Sequence, residues 1–413
     1  MRDMNVPKLR PIEAFPFKDN LICLRDPQNY SDKLLLVPPD VFFICTFLDG
    51  EHSVLDIQTE YTRKFGNLLF SNKVEEIIDQ LDSCLFLETE RFYSAREEAV
   101  SGFKAARVRA ASHAGTAYEA ERESLLKQLE GSFSPPDGPG KPAAEAVSNR
   151  LRAIIAPHID LRRGGPCFAY SYAEVARESQ ATTFIILGIC HTETRRRFVL
   201  TGKDFETPLG KAETDGDLLE CLTEKCTHDF YLDEFAHRNE HSIEFQVLFL
   251  QYIFRGVREF RILPVLCSSL HSIINAEGSP LKSPMSDPEV REFIEALKTV
   301  CSEKREQTCL IGGVDLSHIG QRFGHSLTLS RDLLDKIETE DRKMLQRVLD
   351  RDAEGFFELI RNERDGRNVC GVPAIYALLH AACAGNSRLL RYDQNADQQT
   401  QSVVSFASLA LYA

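Results

Sequence analysis

The chain has 413 residues, of which 27% are charged and 43% hydrophobic, and its formal net charge is −13. This length predicts two or three domains. The acidic balance argues against nucleic acid or an anionic membrane as a partner, because both attract positive surfaces. No apolar run approaches the roughly 20 residues of a membrane span, and the first residues lack the apolar core of a secretory signal. The twelve cysteines contain no CxxC pair, so we expect a cytoplasmic protein with reduced thiols.

Residues 1–105 predict a small α+β domain that ends in a charged helical connector from residue 90. The predicted elements, in chain order, are a strand at Leu34–Val37, a buried helix at 40–48, a helix from Val54 capped by Ser53, a helix after Ser71 and a short strand at 85–87. The order LDG, SVLDI and LFL resembles the PqqD-like winged-helix modules, and this resemblance implies a peptide ligand. A generic helical adaptor is the alternative.

Residues 106–413 predict a second, larger domain. The segment 131–149 is rich in Gly, Pro and Ser and predicts a loop. Short, nearly continuous apolar runs follow it, typical of strands that are covered on both faces. They are LRAIIA (151–156), TTFIILGI (182–189), FVLTG (198–202), FRILPVL (260–266), CLIGGV (309–314) and SVVSFASLAL (402–411). Helical stretches lie between them, at 242–254, 287–300, 341–349 and 372–383. This alternation predicts an α/β domain with a doubly wound, mostly parallel sheet.

Histidines follow three of the predicted strands, where the site of such a sheet is expected. They are His158, His191 and His318, and a fourth, His241, opens the predicted helix at 242–254. One strand-end histidine is usually a loop residue. Several that converge favour a metal site or a catalytic base, because neutral imidazole serves both roles near neutral pH.

Cys370 and several charged residues complete the candidate set. Cys370 precedes a predicted helix, where a thiolate is stabilised, and it is a candidate ligand or nucleophile. Glu240 and Glu244 are four residues apart, and their alternative role is to stabilise a helix N-terminus. Arg162 and Arg163 are candidates to clamp an anionic substrate group, although a solvated pair explains them equally well.

Seven segments in this order resemble the Memo family, also called protein B of the AmmeMemoRadiSam system. The resemblance spans about residues 110–413. The segments are ASHAGTAY (111–118), IIAPHIDLRRGG (154–165), ILGICH (186–191), TPLG (207–210), NEHSIEFQVLFLQ (239–251), VDLSHIGQRF (314–323) and NVCGVPAIYALL (368–379).

The resemblance implies a fold similar to the class III extradiol dioxygenases of the LigB type, with iron or copper as the metal. The family's ligands fall on His158, His191 and Cys370, and the residue that resembles the dioxygenase base is His241. Asp315 and His318 match the family's Asp-x-x-His block, so they join His241 as catalytic candidates, with Glu240 beside the arginines as a possible substrate contact.

The resulting hypothesis is a mononuclear non-haem iron or copper oxidoreductase, similar to a dioxygenase, that acts with a radical SAM enzyme and an AMMECR-type protein. A thiolate where the dioxygenases have a carboxylate would alter the redox potential, which argues against ordinary ring cleavage. One alternative is a binding module for peptides or phosphopeptides that uses Arg162 and Arg163. The other is a zinc hydrolase.

Overall fold

The structure, a computed structural model, describes residues 6–275 and 283–413. The chain divides into two compact units, one ending at Ala105 and the other beginning at Ala106. The strands of the first unit are β1 (Glu13–Pro16), β2 (Ile22–Arg25) and β3 (Leu34–Val37), and its helices are α1 (Pro39–Cys45), α2 (Val54–Phe65), α3 (Ser71–Ser83) and α4 (Glu90–Ala105).

In the first unit, a three-stranded antiparallel sheet packs against helices. β2 lies between β1 and β3, and the buried residues Leu35 and Val37 of β3 share a core with residues of α1, α2 and α3. Ser53 begins α2 with reciprocal hydrogen bonds to Asp56, as its capping position predicts. The strand predicted at 85–87 is present only as an antiparallel β-bridge between Leu87 and Leu9, beside which the Glu88 N–H donates to the Lys8 carbonyl at 2.8 Å. Cys84 and Leu85 instead form the turn that ends α3.

The second unit contains the remaining elements. Its strands are β4 (Val108–Arg109), β5 (Leu151–Ala156), β6 (Thr183–Ile189), β7 (Phe198–Leu200), β8 (Asp204–Thr207), β9 (Gly210–Thr214), β10 (Arg261–Cys267), β11 (Thr308–Gly313), β12 (His318–Gly320), β13 (Asn386–Asp397) and β14 (Ser402–Tyr412). Its helices are α5 (Arg122–Phe133), α6 (Leu161–Glu178), α7 (Gly216–Thr223), α8 (His241–Phe254), α9 (His271–Ile274), α10 (Pro288–Glu303), α11 (Arg331–Leu349), α12 (Ala353–Asn362) and α13 (Val372–Ala381).

One sheet of eleven strands organises this unit. Its order is β12-β14-β5-β11-β6-β10-β9-β8-β4, with β13 paired to β14 and β7 paired to β10. The four central strands β5, β11, β6 and β10 are parallel. β14 runs antiparallel to β5, and antiparallel pairs occur on both flanks. The carboxyl ends of the central strands therefore share one edge.

Helices cover both faces of the sheet. Phe184 and Ile186 of β6 pack into one core with α5, α6 and α8, whereas Ile185 and Leu187 pack into another with α7, α10, α11, α12 and α13. The predicted α/β architecture with a large, mostly parallel sheet is confirmed. The predicted loop at 131–149 begins later than expected, because α5 continues to Phe133.

Two properties of the described residues bear on the environment of the protein. Each described helix is either too short or too polar to cross a lipid bilayer. All twelve cysteines lie in the described part of the chain, and each has a free thiol.

Candidate metal centre

Three histidine side chains meet at the edge where the parallel strands end. His158 and His191 each lie two residues beyond a strand, β5 and β6, and His241 is the first residue of α8. One ring nitrogen of each histidine lies within 4.8 Å of those of the other two. Because β5 and β6 are parallel and flank β11, their carboxyl ends bring the first two rings together.

Hydrogen bonds to the sheet place the third ring. The Ser242 hydroxyl donates to the Ile189 carbonyl at 2.9 Å, and the Ile189 N–H donates to the same hydroxyl at 3.0 Å. Farther along α8, the Gln246 side chain donates to the carbonyl of Pro157 at 2.7 Å, next to His158. These contacts join the start of α8 to the ends of β5 and β6, so that His241 faces the other two histidines.

Each of the three rings is oriented through its Nδ1 atom. His158 Nδ1 lies 2.9 Å from the Gly313 carbonyl. His191 Nδ1 lies 3.0 Å from Glu240 Oε2, and His241 Nδ1 lies 3.2 Å from Glu240 Oε1. With Nδ1 engaged, Nε2 is the nitrogen of each ring that remains to bind a metal. Contacts of this kind, from a carbonyl or carboxylate to the other ring nitrogen, are typical of metal-binding histidines.

Glu240 is the shared support of two of these rings. It is buried, and its carboxylate also accepts the backbone N–H groups of His191, His241 and Ser242 at 2.9–3.1 Å. Burial alone would raise the pKa of Glu240, but the two imidazoles outweigh burial and hold this pKa well below its usual value. Burial alone would lower the pKa of His191. The interactions with Glu240 outweigh burial, so the pKa of His191 is raised above its ordinary value. Glu240, predicted as a substrate contact, thus lies behind the rings and orients them.

Cys370 lies beside the histidine cluster. Its Sγ atom is 3.5 Å from His158 Nε2 and 3.6 Å from the Asp315 carbonyl oxygen. The chain before it is held by Arg367, which donates to the Ser317 hydroxyl at 3.0 Å and pairs with the buried Asp341. The structure therefore brings the predicted sulfur ligand next to one predicted histidine ligand. The three-histidine group itself includes His241, which the sequence had assigned to catalysis.

The sequence analysis predicts a stabilised thiolate at Cys370, before the start of α13, and this stays a prediction. Burial raises the pKa of this thiol well above its ordinary value, and the nearby carboxylate of Asp315 raises it further. A bound metal cation would supply the missing positive charge and deprotonate the sulfur.

Asp315 and His318 lie close to the cluster but outside the group of three. Asp315 Oδ1 accepts the His158 N–H at 3.0 Å, while Oδ2 lies 3.7 Å from His158 Nε2. Burial raises the pKa of Asp315 to about 6. His318 Nδ1 lies 3.1 Å from the Leu316 carbonyl, and burial lowers the pKa of His318 to about 4. Their predicted catalytic roles stay predictions.

The two arginines predicted to bind an anion lie at the start of α6. The Arg162 guanidinium lies 3.3 Å from the Thr116 carbonyl oxygen and 3.6 Å from the Glu119 carboxylate. Arg163 is exposed. The two glycines that follow the arginines allow close packing, because a Cβ at Gly165 would lie 2.4 Å from Ser132 Oγ on α5. Anion binding by the arginines stays a prediction.

The sequence analysis missed a second buried network next to His241. Glu244 is buried and pairs with Arg109, and it also accepts the N–H of His113 at 3.1 Å. The ring of His113 lies 5.5 Å from that of His241, between centroids. Burial alone would raise the pKa of Glu244, but Arg109 and His113 outweigh it and lower this pKa. The available signal was the segment ASHAGTAY, which the sequence analysis quoted without assigning it a role.

Comparison with known proteins finds one matching family model and several relatives of this chain. A family model described as "Memo-like protein" matches residues 109–410. A MEMO1 family protein of Aquifex aeolicus is 26% identical over 411 residues, which cover 98% of this chain and 100% of the relative. MEMO1 family proteins of Methanopyrus kandleri and Caldivirga maquilingensis are 30% and 28% identical. These matches cover 72% of this chain and 96% and 97% of the two relatives, a length close to that of the second unit.

Proposed function

The chain belongs to the Memo family, and from this premise we propose that it is a mononuclear non-haem iron or copper protein that acts as an oxidoreductase. The observation that carries the proposal is the convergence of His158, His191 and His241 within 4.8 Å. We also propose that the second unit has the fold of the LigB-type extradiol dioxygenases, supported by its central parallel sheet, the helices on both faces and the histidines at the strand ends.

The donor set fits a transition metal. Each ring presents Nε2, since Nδ1 is engaged by a carbonyl or by Glu240, and Cys370 adds a sulfur 3.5 Å from His158 Nε2. Nitrogen and sulfur donors suit iron, copper and zinc, whereas magnesium and calcium prefer oxygen. A bound iron or copper ion would supply a redox couple and Lewis acidity at this position. Three nitrogens and one sulfur, with Asp315 close by, favour such an ion over magnesium.

The surrounding side chains would orient the ligands and handle protons. Glu240 holds two rings in the tautomer that presents Nε2. Asp315 Oδ2 is 3.7 Å from His158 Nε2, and because its pKa is about 6, it gains or loses a proton near neutral pH. We therefore include Asp315 as a candidate acid-base group, and we retain His241 and His318 as the other candidates because the family resemblance implies them.

Metal analysis after anaerobic purification tests the proposal. We expect close to one iron or copper ion per chain in the wild type and a large loss in His191→Ala. The matched control is His228→Ala, because His228 pairs with Glu292 and not with the cluster. Absence of metal from the wild type after supply of both ions would contradict the proposal, and zinc alone, without redox activity, would favour the hydrolase.

A second substitution decides the role of His241. If its ring is a ligand, His241→Ala loses metal as His191→Ala does. If its ring is only the catalytic base, as the resemblance implies, the variant keeps its metal and loses turnover. Measuring metal content and redox turnover in the same preparation separates the two roles.

For the first unit we propose a PqqD-like winged-helix module that binds a peptide. We also propose that the whole protein acts in a reducing cytoplasm with a radical SAM enzyme and an AMMECR-type protein as partners. The order of three strands and then helices supports the winged-helix module. Two leucines on the outer face of its sheet also support it, because Leu34 and Leu36 expose 62% and 44% of their surface. Co-purification from cells with the tagged full-length chain, compared with Leu34→Glu, tests this; equal recovery of partners by both would contradict it.

The alternative function is phosphopeptide binding without catalysis, which the exposed Arg163 at the start of α6 favours. Titration with a phosphotyrosine peptide tests it. Arg162→Ala and Arg163→Ala should each weaken binding several-fold, and unchanged affinity in both would exclude this role.

A further inference from the structure

A small cavity opens beside the histidine cluster. Its volume is about 240 Å³. The end of β6, the α9 segment and the chain between α12 and α13 form its walls. His191 and Cys370 both line it, so a molecule bound there would lie against two of the proposed metal donors.

Six of the twelve residues that line the cavity are buried aliphatic residues or proline. They are Ile189, Leu270, Ile274, Val369, Val372 and Pro373. All of them except Pro373 belong to the hydrophobic core on that face of the sheet. Core packing therefore fixes the shape of the cavity, and the wall offers an occupant apolar contact in place of water.

The charge of the lining restricts the occupant further. Among the described residues that line the cavity, none is Lys or Arg, and Asp365 carries the single carboxyl group. The carboxylate of Glu240 lies directly behind His191. No Lys or Arg among the lining residues would offset the lost hydration of an anionic group, and the carboxyl groups of Asp365 and Glu240 would oppose its negative charge. A metal would attract a coordinating atom, but the part of the molecule that fills the apolar wall has to be uncharged.

The volume limits the occupant to one small group. An apolar cavity of about 150 Å³ takes up benzene, whereas drug-sized ligands occupy roughly 300–1,000 Å³. At about 240 Å³, the cavity has room for a single ring with a short substituent or for a branched chain of that size.

We infer that this cavity is a substrate subsite that takes one uncharged, largely apolar group of about the size of a single ring, carried by a small molecule. The inference rests on the proposed function, because it assumes that the substrate reacts at the neighbouring donors. It opposes the phosphopeptide alternative at this position, since a phosphate would meet no Lys or Arg among the lining residues.

Methyl NMR of the full-length chain tests the inference, because the isoleucine, leucine and valine methyls of the wall report the position of a ligand. The probes are benzyl alcohol and benzyl phosphate, which share one ring and differ in charge. We expect benzyl alcohol to shift the wall methyls and to bind at least tenfold more tightly than benzyl phosphate. Equal or tighter binding of benzyl phosphate there, or no shift of these methyls by benzyl alcohol at millimolar concentration, would overturn the inference.

Substitutions at Ser269 sharpen the test, because this residue lines the cavity and is exposed, so it tolerates a larger side chain. Ser269→Phe should fill the entrance and abolish the shifts. Ser269→Lys should reverse the preference and favour benzyl phosphate. Ser272→Phe is the matched control, since Ser272 is exposed on the same segment and lies outside the lining. Equal effects of Ser269→Phe and Ser272→Phe would count against the subsite.

The titrations are run without metal and again with Zn²⁺ as a diamagnetic probe. Selective binding of benzyl alcohol to a chain that binds no metal would support the cavity and overturn only the proposed function. Metal binding without ligand selectivity would overturn the subsite and leave the proposed function in place.

Discussion

Glu240 contacts two imidazoles at once, so a change in this one carboxylate reaches both. Glu240→Gln keeps the size of the side chain and an acceptor for the backbone N–H groups, but its NH₂ group cannot accept from Nδ1. We expect metal affinity to fall about 10- to 100-fold, as is typical when such an outer contact is lost. Competition with a chelator measures the affinity.

The control for Glu240→Gln is Glu306→Gln, because Glu306 is exposed and pairs with Arg152 outside the cluster. Affinity should be unchanged in this control. Wild-type affinity in Glu240→Gln would mean that the rings are oriented by the backbone alone.

His237 predicts an acid sensitivity that is independent of the metal. Burial lowers its pKa to about 3, so the folded chain holds this ring neutral while the unfolded chain, with a pKa near 6.5, protonates it. Above pH 6.5 the ring is neutral in both states and does not reduce the free energy of unfolding. As the pH decreases from 6.5 toward 3, protonation of the unfolded chain lowers the free energy of unfolding. At pH 4.5 the loss is about 2–3 kcal/mol.

Urea unfolding of chelator-treated protein at pH 7 and pH 4.5 measures this loss. His237→Gln keeps a donor for the Val199 carbonyl and should lose about 2–3 kcal/mol less than the wild type over this range. Val199→Ala, a packing control without a titratable group, should lower stability by the same amount at both pH values. An identical pH dependence in wild type and His237→Gln would contradict the assignment.

At the residue scale, the sequence could predict the groups that follow apolar runs. His158 and His191 were found this way, and His241 by its place at the start of a helix. The role of Glu240 and the approach of His113 could not be predicted, because both depend on contacts between segments far apart in sequence. The raised pKa of Cys370 also depends on burial, which no local pattern reveals.

At the scale of elements, two glycines let α8 approach the sheet. A Cβ at Gly188 would lie 2.6 Å from both Ser242 Oγ and the Ile243 side chain, and a Cβ at Gly313 would lie 2.8 Å from the Ser242 carbonyl. Gly188→Ala should therefore displace the start of α8, cost about 1–3 kcal/mol and weaken metal binding through His241. Chemical denaturation and metal titration measure the two effects.

Gly131→Ala is the matched control, because Gly131 lies in α5 with open space around its Cβ position. There the added methyl should stabilise the helix by about 0.5–1 kcal/mol and leave metal affinity unchanged. Stability and affinity equal to wild type in Gly188→Ala would show that α8 tolerates displacement.

The predictability of the elements followed their hydrophobic patterns. β5, β6, β10, β11 and β14 are continuous apolar runs and were found nearly to the residue. β1, β2, β8 and β9 have four or five residues each, too short for a periodic signal, and β13 carries mostly polar side chains. α6 was missed because Gly164, Gly165 and Pro166 interrupt its pattern, although the two glycines allow close packing.

At the scale of the whole molecule, the two units have separate hydrophobic cores. One core is built from residues up to Leu87 and the others from Tyr118 onward. We therefore expect residues 106–413 alone to fold and to bind metal with the stoichiometry of the full chain. Relatives that match only 72% of this chain agree with this expectation. Unfolding curves and metal analysis of the shortened chain check it, and a folded but metal-free fragment would contradict it.

The position of β14 determines when the centre can form during synthesis. β14 lies between β12 and β5, and Ser405 bonds through its backbone to Leu316 and Ser317, beside Asp315. A ribosome makes β5 and all the histidines of the cluster long before residues 402–412 exist. Until then the β5 edge lacks its neighbour and the Asp315 loop lacks its backbone partner. A metal ion would consequently meet the completed centre only after Tyr412 has been made, and a nascent chain stalled earlier would present the imidazoles without the completed pocket.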